Sequence, residues 1–133
     1  MQDKTKRSTW SAFIPVVVKH EFTLTLKKED IESIVTRAIN EGIGDWGIVT
    51  GATRVQGLPV YSVPFEVTDI ETNQTHEVTR VKLLRGIRDT LIDFPYALDT
   101  LAGYNLDTGK LTREDIDEII QQAIFKEKRY GFN

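Results

Sequence analysis

The same amphipathic helix is predicted twice in this chain. Residues 26–39 read LKKEDIESIVTRAI and residues 111–124 read LTREDIDEIIQQAI, identical at seven of fourteen positions and 85 residues apart. In both segments the apolar residues recur at the i, i+3, i+4, i+7 spacing that lines one face of an α-helix. A shift of 85 residues exceeds the solenoid periods of about 20–50 residues. The pattern therefore predicts two similar helices in a folded core, not a stacked repeat array.

Two interpretations of this repeat remain open. Carboxylates in a first helical turn are favoured by the positive end of the helix dipole, so a pair such as Glu29-Asp30 is expected in any helix of this kind. Alternatively, the two helices pack as a pseudo-symmetric pair, with the small side chains Ala38 and Ala123 allowing close approach. Neither interpretation identifies an activity.

The length of the chain limits how many cores it can build. At 133 residues it has the size of a common single domain. Hydrophobic residues make up 40% and charged residues 28%, close to average globular usage, which predicts a folded protein. Residues 1–11 are polar and cationic and predict a flexible basic arm, while residues 12–133 predict a single α+β domain.

Strand patterns occur at the start and in the middle of the predicted domain. Residues 13–18 and 20–26 are β-branched or alternate between apolar and polar, which is typical of strands. Residues 61–70 and 75–78 flank a polar turn and predict a hairpin, with Pro64 at an edge or a bulge.

Helical patterns separate and follow these strands. Thr79 is predicted to cap the second helix, in which Gly86 is either a weak point or a close packing contact. Thr112 and Asp115 form an imperfect capping box at the start of the third. The predicted helices cover 28–41, 79–92 and 113–128. The expected fold is α+β, with a small, mainly antiparallel sheet of about four to five strands packed with three helices.

Composition excludes several kinds of chemistry. Because the chain has no cysteine, it can form no disulfide, thiol nucleophile or zinc–thiolate site, and it suits a reducing cytoplasm. The net charge of -3 gives no global basic field for duplex DNA. No apolar run approaches the ~20 residues that cross a bilayer, so we expect a cytoplasmic protein without a membrane partner.

Catalytic and metal-binding patterns are not found in the sequence. His20 and His76 lack the spacing of metal ligands, so we expect neither a metal nor a cofactor. An enzyme with a shallow carboxylate site at Glu29, Asp30 or Glu114 remains an alternative. Helix dipoles alone explain the two acidic clusters. These clusters are Glu29, Asp30 and Glu32, and Glu114, Asp115, Asp117 and Glu118.

The candidate contact residues lie on the second helix and in two irregular segments. Basic residues spaced along one helix can line a phosphate or nucleic-acid surface, although a solvated helix face is the simpler explanation. Residues 42–57 are rich in glycine and 93–110 form a long connector, and either segment is a candidate binding loop. The candidates are Asp45, Trp46, Arg80, Lys82, Arg85, Arg88 and Tyr104.

Several short motifs together resemble a known group of proteins. The motifs are Leu24-Thr25-Leu26, Glu29-Asp30-Ile31, Gly42-Ile43 with Trp46, residues 82–87 (KLLRGI) and residues 119–125 (IIQQAIF). Across residues 22–131 the chain resembles small uncharacterised α+β proteins of phages, prophages and mobile elements of Gram-positive bacteria. It departs from the group's pattern at Lys27, where a threonine cap is usual, and at Asp45, where a tyrosine precedes the tryptophan.

This resemblance implies a phage or prophage origin and an α+β fold, and it transfers no catalytic residue. With no catalytic pattern in the chain, our leading hypothesis is a non-enzymatic accessory protein that binds a bacterial host protein and antagonises a defence system. The alternative is a protein that binds nucleic acid or a nucleotide through the cationic second helix. Self-association into a homo-oligomer stays open.

Overall fold

The fold is α+β, in agreement with the sequence prediction. A computed structural model describes residues 14–18, 22–41, 43–91, 95–99 and 104–131. The predicted basic arm at 1–11, His20 and the predicted Gly42 helix cap lie outside the described residues. Within these ranges the chain forms three α-helices and nine β-strands.

The helices are α1 (Lys28–Glu41), α2 (Arg80–Thr90) and α3 (Arg113–Phe125), with 3-10 turns at Pro95–Ala97 and Thr108–Lys110. The strands are β1 (Ile14–Val18), β2 (Phe22–Leu26), β3 (Gly47–Thr50), β4 (Thr53–Arg54), β5 (Tyr61–Ser62), β6 (Phe65–Asp69), β7 (Thr75–Val78), β8 (Leu98–Asp99) and β9 (Tyr104–Leu106). Strands β6 and β7 pair antiparallel, which confirms the predicted hairpin.

The strands form three small sheets, so the prediction of one mainly antiparallel sheet is wrong. Their orders are β1-β2-β9-β8, β3-β6-β7 and β4-β5. In the first sheet β9 runs parallel to β2. The sequence predicts 93–110 as a connector because strands of two or three residues are too short to show a period of two.

Strands β3 to β6, which belong to the other two sheets, form one long hairpin that is interrupted near its middle, and β7 adds a third strand beside β6. β3 pairs with β6 and, further along, β4 pairs with β5. Between them Gly51 has a φ of +63° and Pro64 has no N–H to donate to the ladder. Pro64 therefore marks the break that the sequence predicts as an edge or a bulge.

Both isoleucine stripes of the repeated helix face one hydrophobic core. α2 packs against α3 where Gly86 meets Ala123. The helix that approaches Ala123 closely is thus α2. This contact explains the small side chain at Ala123 without a pseudo-symmetric pair between α1 and α3. The largest fully buried side chains are Leu24, Leu26, Ile31, Ile34, Ile43, Phe65, Leu83, Ile87, Leu91, Ile116 and Ile119.

The two copies of the repeated helix begin differently. In α3 the Thr112 N–H donates to Asp115 Oδ2 at 2.8 Å and the Asp115 N–H donates to Thr112 Oγ1 at 3.1 Å, which confirms the predicted capping box. In α1 the Lys27 N–H donates to Asp30 Oδ2 at 2.8 Å. Lysine has no side-chain acceptor for the reverse bond. Only half of a capping box is therefore present at α1.

Completing that box is expected to stabilise the protein. Lys27→Thr supplies the missing hydroxyl acceptor and should raise the free energy of unfolding by about 0.5–1 kcal/mol, measured by urea denaturation. Lys28→Thr, one residue into the helix, is the matched control and should give no gain, because threonine is a weaker helix former than lysine. Equal stability of Lys27→Thr and the parent chain would contradict this assignment of the cap.

Candidate functional site

Trp46 lies in the loop between α1 and β3 and is only 5% exposed. Its carbonyl oxygen accepts the Ile70 N–H at 2.7 Å, which ties the loop to the end of β6. Its indole ring stacks on Tyr130, with centroids 5.6 Å apart and planes at 15°, and lies 5.4 Å from the ring of Phe125. The loop residue Trp46 is therefore a fixed part of an aromatic cluster with α3 and the segment after it.

A buried carboxylate, that of Asp117, accepts the indole N–H of Trp46. Trp46 Nε1 donates to Asp117 Oδ1 at 2.6 Å, and Gln121 Nε2 donates to Asp117 Oδ2 at 3.0 Å. Desolvation by burial raises the pKa of Asp117, while these two hydrogen bonds act in the opposite direction. Both carboxyl oxygens thus accept a hydrogen bond from a fixed donor.

Gln121 also fixes the chain that follows α3. Its Oε1 accepts the backbone N–H groups of Arg129 at 2.7 Å and Tyr130 at 2.8 Å, and its Nε2 donates to the Tyr130 carbonyl at 2.9 Å. α3 ends at Lys126, whose φ of +63° turns the backbone out of the helix. One buried amide therefore positions the Tyr130 ring against Trp46.

Tyr130 is joined in turn to the β6–β7 hairpin. Its hydroxyl donates to Asp69 Oδ2 at 2.9 Å, and Asp69 Oδ1 accepts the N–H groups of Glu71 at 2.9 Å and Thr72 at 3.4 Å. Burial acts to raise the pKa of Asp69, but the hydrogen bonds from Tyr130, Glu71 and Thr72 together lower it. Burial and the bond to Asp69 raise the pKa of Tyr130. Asp69 is thus a carboxylate at neutral pH, and Tyr130 keeps its proton.

Trp46 and Tyr130, which these hydrogen bonds hold in place, line an open depression of about 390 Å³, here called the Trp46 concavity. Asp45 and Glu71 are exposed at its rim, and Ile70 is 55% exposed beside them. Its walls combine aromatic rings, an exposed aliphatic side chain and two carboxylates. The described residues that line it are Asp45, Trp46, Ile70, Glu71, Tyr130 and Gly131.

Two of the residues predicted from the sequence meet at this concavity, Asp45 and Trp46. The other irregular-segment candidate, Tyr104, is the first residue of β9 and its backbone pairs with Leu24 of β2. The Tyr104 side chain lies outside what the structure describes. The glycine-rich segment therefore contributes to the site through its first few residues.

The cations of α2 lie elsewhere and are engaged within the chain. Lys82 and Arg85 donate to backbone carbonyls at 3.1 and 2.7 Å, and Arg88 forms an ion pair with Asp89 at 2.9 Å. Arg80 is the first residue of the helix and is half-buried. At about 100° per residue, Arg80 and Lys82 point in nearly opposite directions. The four cations therefore do not share one helix face.

Sequence reasoning missed most of the residues around Trp46. The sequence places Asp117 in an acidic cluster that the helix dipole explains, but the side chain is fully buried, where the indole N–H and the Gln121 amide supply the hydrogen bonds that a buried carboxylate needs. One feature of the sequence does indicate this buried pair. Asp117 and Gln121 directly follow the stripe residues Ile116 and Ile120, so the pair sits four residues apart beside the buried face.

Comparison with protein-family models, curated proteins and solved structures finds no match to this chain. None of the helices that the structure describes has the length and apolar character needed to cross a lipid bilayer. Within the described ranges, no three or more histidine, aspartate or glutamate side chains are grouped so that they could hold a metal ion. The site is therefore interpreted from its own geometry.

Proposed function

We propose that this protein acts by binding another protein through the Trp46 concavity, without catalysing a reaction. The observation that carries the proposal is the concavity itself, in which exposed Ile70 and the rim carboxylates adjoin aromatic rings that are already fixed in place. Rigid aromatic and aliphatic groups at the centre of a surface, with charges at its edge, are typical of protein interfaces.

The site is preorganised for binding. Tyr130, Gln121, Asp117 and Asp69 hold one another through hydrogen bonds of 2.6–3.0 Å that include Trp46. A partner therefore meets a surface whose side chains lose little conformational freedom on contact. The same bonds occupy the buried carboxylates, which supports a structural use of these groups over acid–base catalysis.

The expected partner comes from the resemblance of the sequence to phage and prophage proteins. On that basis we propose a protein of the bacterial host, and antagonism of a host defence system as the outcome of binding. The alternative, phosphate binding by α2, would require Lys82, Arg85 and Arg88 to leave the acceptors they now contact. The protein-binding proposal needs no such rearrangement.

Blocking the concavity provides the test. Gly131 lines the concavity, and a Cβ added there meets no described atom within 4 Å, so Gly131→Trp should add a bulky indole at the concavity without disturbing the fold. Val81→Trp, at a position 71% exposed on α2, is the matched control. Both variants should unfold at the temperature of the parent protein.

The expected result is a change in one specific interaction. The parent chain is first used to capture a host protein, which is identified by mass spectrometry and purified. The purified host protein should bind Val81→Trp as tightly as it binds the parent chain. It should bind Gly131→Trp at least ten-fold more weakly, a loss of about 1.4 kcal/mol in binding free energy. Infected cells should lose defence activity with the parent chain and keep it with Gly131→Trp. Undiminished binding by Gly131→Trp would reject the concavity as the interface.

A further inference from the structure

We propose that the Trp46 concavity receives an arginine side chain of the partner protein. The inference rests on the proposed function, since it names the chemical group that the same concavity recognises. Three features of the described residues carry it, which are the charge of the rim, the aromatic wall and the exposed aliphatic side chain.

The charge of the rim is negative. Asp45 and Glu71 are both exposed on the concavity, and none of the described residues that line it is basic. Behind them lies the Asp69 carboxylate, whose hydrogen bonds lower its pKa against the effect of burial and keep it ionised. Charge complementarity therefore favours a cationic group in this concavity.

The aromatic wall favours a planar cation. Trp46 and Tyr130 both line the concavity with nearly parallel rings, at 15°, and the half-buried Tyr130 is the more accessible of the two, since Trp46 is only 5% exposed. A guanidinium can stack on aromatic rings and bind carboxylates through two parallel hydrogen bonds, whereas an ammonium cannot do both. The chain itself already contains one such contact, because Arg129 Cζ lies 4.1 Å from the centroid of the neighbouring Phe125 ring.

The exposed aliphatic side chain, Ile70, suits the apolar stem of an arginine. Ile70 is 55% exposed and lines the same concavity as the two rim carboxylates. An arginine presents an apolar stem of three methylenes below its charged head, and such stems pack on apolar surface while the head stays solvated. Ile70 would contact the stem while Asp45 and Glu71 contact the guanidinium.

A titration of the whole protein with two small peptides tests this inference. The first peptide is acetyl-Gly-Arg-Gly-amide, and the second carries citrulline, a neutral isostere, in place of arginine. The ¹⁵N spectrum reports on the site through the Trp46 indole N–H and the Gly131 amide. The arginine peptide should shift both signals with a dissociation constant of about millimolar order, and added salt should weaken the binding. The citrulline peptide should leave both signals in place.

Variants at the rim separate charge from shape. Asp45→Asn and Glu71→Gln should each weaken binding of the arginine peptide by about two- to five-fold, as expected for exposed ion pairs. Glu66→Gln, an exposed carboxylate of β6 outside the lining of the concavity, is the control and should bind as the parent does. Equal binding of the citrulline peptide, or tighter binding of a lysine peptide, would overturn the inference.

The outcomes distinguish this inference from the proposed function. If Gly131→Trp abolishes binding of the host protein but the arginine peptide shifts neither signal, the interface stands and the arginine assignment fails. If the arginine peptide binds but the host protein tolerates Gly131→Trp, arginine recognition stands and the proposed interface fails.

Discussion

Gly86→Ala is expected to lower the free energy of unfolding by about 2 kcal/mol. The Cβ of an alanine at this position would lie 2.5 Å from the Ile119 carbonyl oxygen and 3.0 Å from the Ala123 backbone nitrogen. Both are backbone atoms, so α2 and α3 must move apart to relieve the overlap. Alanine is the better helix former by about 1 kcal/mol, and the loss remains after that gain is subtracted.

Two further variants make the prediction specific. Val81→Ala, at an exposed position of the same helix, should be neutral or slightly stabilising. Ala123→Gly, combined with Gly86→Ala, should recover little stability, because it removes a Cβ at 3.1 Å but leaves the shorter overlap with Ile119. Thermal and urea unfolding measure all three. A Gly86→Ala protein as stable as its parent would show that the helix contact is looser than the structure indicates.

The helices were more predictable from sequence than the sheets, for a physical reason. A helix buries side chains at intervals of three and four over many residues, so Ile31, Ile34 and Val35 identify α1 without any knowledge of its neighbours. Two other local signals, a capping threonine and a polar turn between β-type runs, correctly predicted the Thr79 cap and the β6–β7 hairpin. β9 spans three residues, and only its pairing with β2 defines it as a strand. Such a strand has no local signature.

The candidate site was only partly predictable because it joins distant segments. Asp45 and Trp46 were candidates because they lie in a glycine-rich loop of the sequence. Their partners Asp69 and Tyr130 come from a hairpin and from the segment after α3, and no local pattern links them. The α2 cations were also candidates from the sequence, because charges can be counted along a helix whereas carbonyl acceptors on neighbouring elements cannot be detected.

The two copies of the repeated helix share one structural role. Thr36 in α1 and Gln121 in α3 occupy equivalent positions, 85 residues apart. Thr36 Oγ1 accepts the Tyr61 N–H at 2.8 Å, and Gln121 Oε1 accepts the Tyr130 N–H at 2.8 Å. Each copy therefore uses the same polar position to hold a neighbouring backbone segment. In α3 that segment carries one wall of the Trp46 concavity.

Asp117→Asn is expected to destabilise the protein by about 2–3 kcal/mol, although the two side chains have the same shape. Both oxygens of Asp117 accept hydrogen bonds, from Trp46 and from Gln121. Asparagine offers one acceptor and one NH₂ group, so one of the two donors would face another donor. Gln121 cannot rotate its amide to compensate without losing its bonds to the Arg129 and Tyr130 N–H groups.

The pH dependence of this loss follows from the raised pKa of Asp117. Since burial raises that pKa above 3.8, the folded protein binds the proton more tightly than the unfolded chain does. Proton binding by Asp117 therefore stabilises the folded protein. This contribution is fully present below pH 3.8 and is lost as the pH rises through the raised pKa of Asp117 in the folded protein. Asparagine does not titrate. The destabilisation by Asp117→Asn should therefore be largest in acid and decrease toward neutral pH.

Urea unfolding of both proteins across this range measures the effect. Asp89→Asn, an exposed carboxylate on α2, is the matched control, and its stability should stay within about 0.5 kcal/mol of the parent. A loss of stability for Asp117→Asn that is constant with pH, or that grows toward neutral pH, would contradict a raised pKa.

Because Trp46 stacks on Tyr130 and donates to Asp117, the Asp117→Asn substitution should also loosen the concavity. Gly131→Trp, which fills the concavity without touching Asp117, should leave the pH dependence of the parent unchanged.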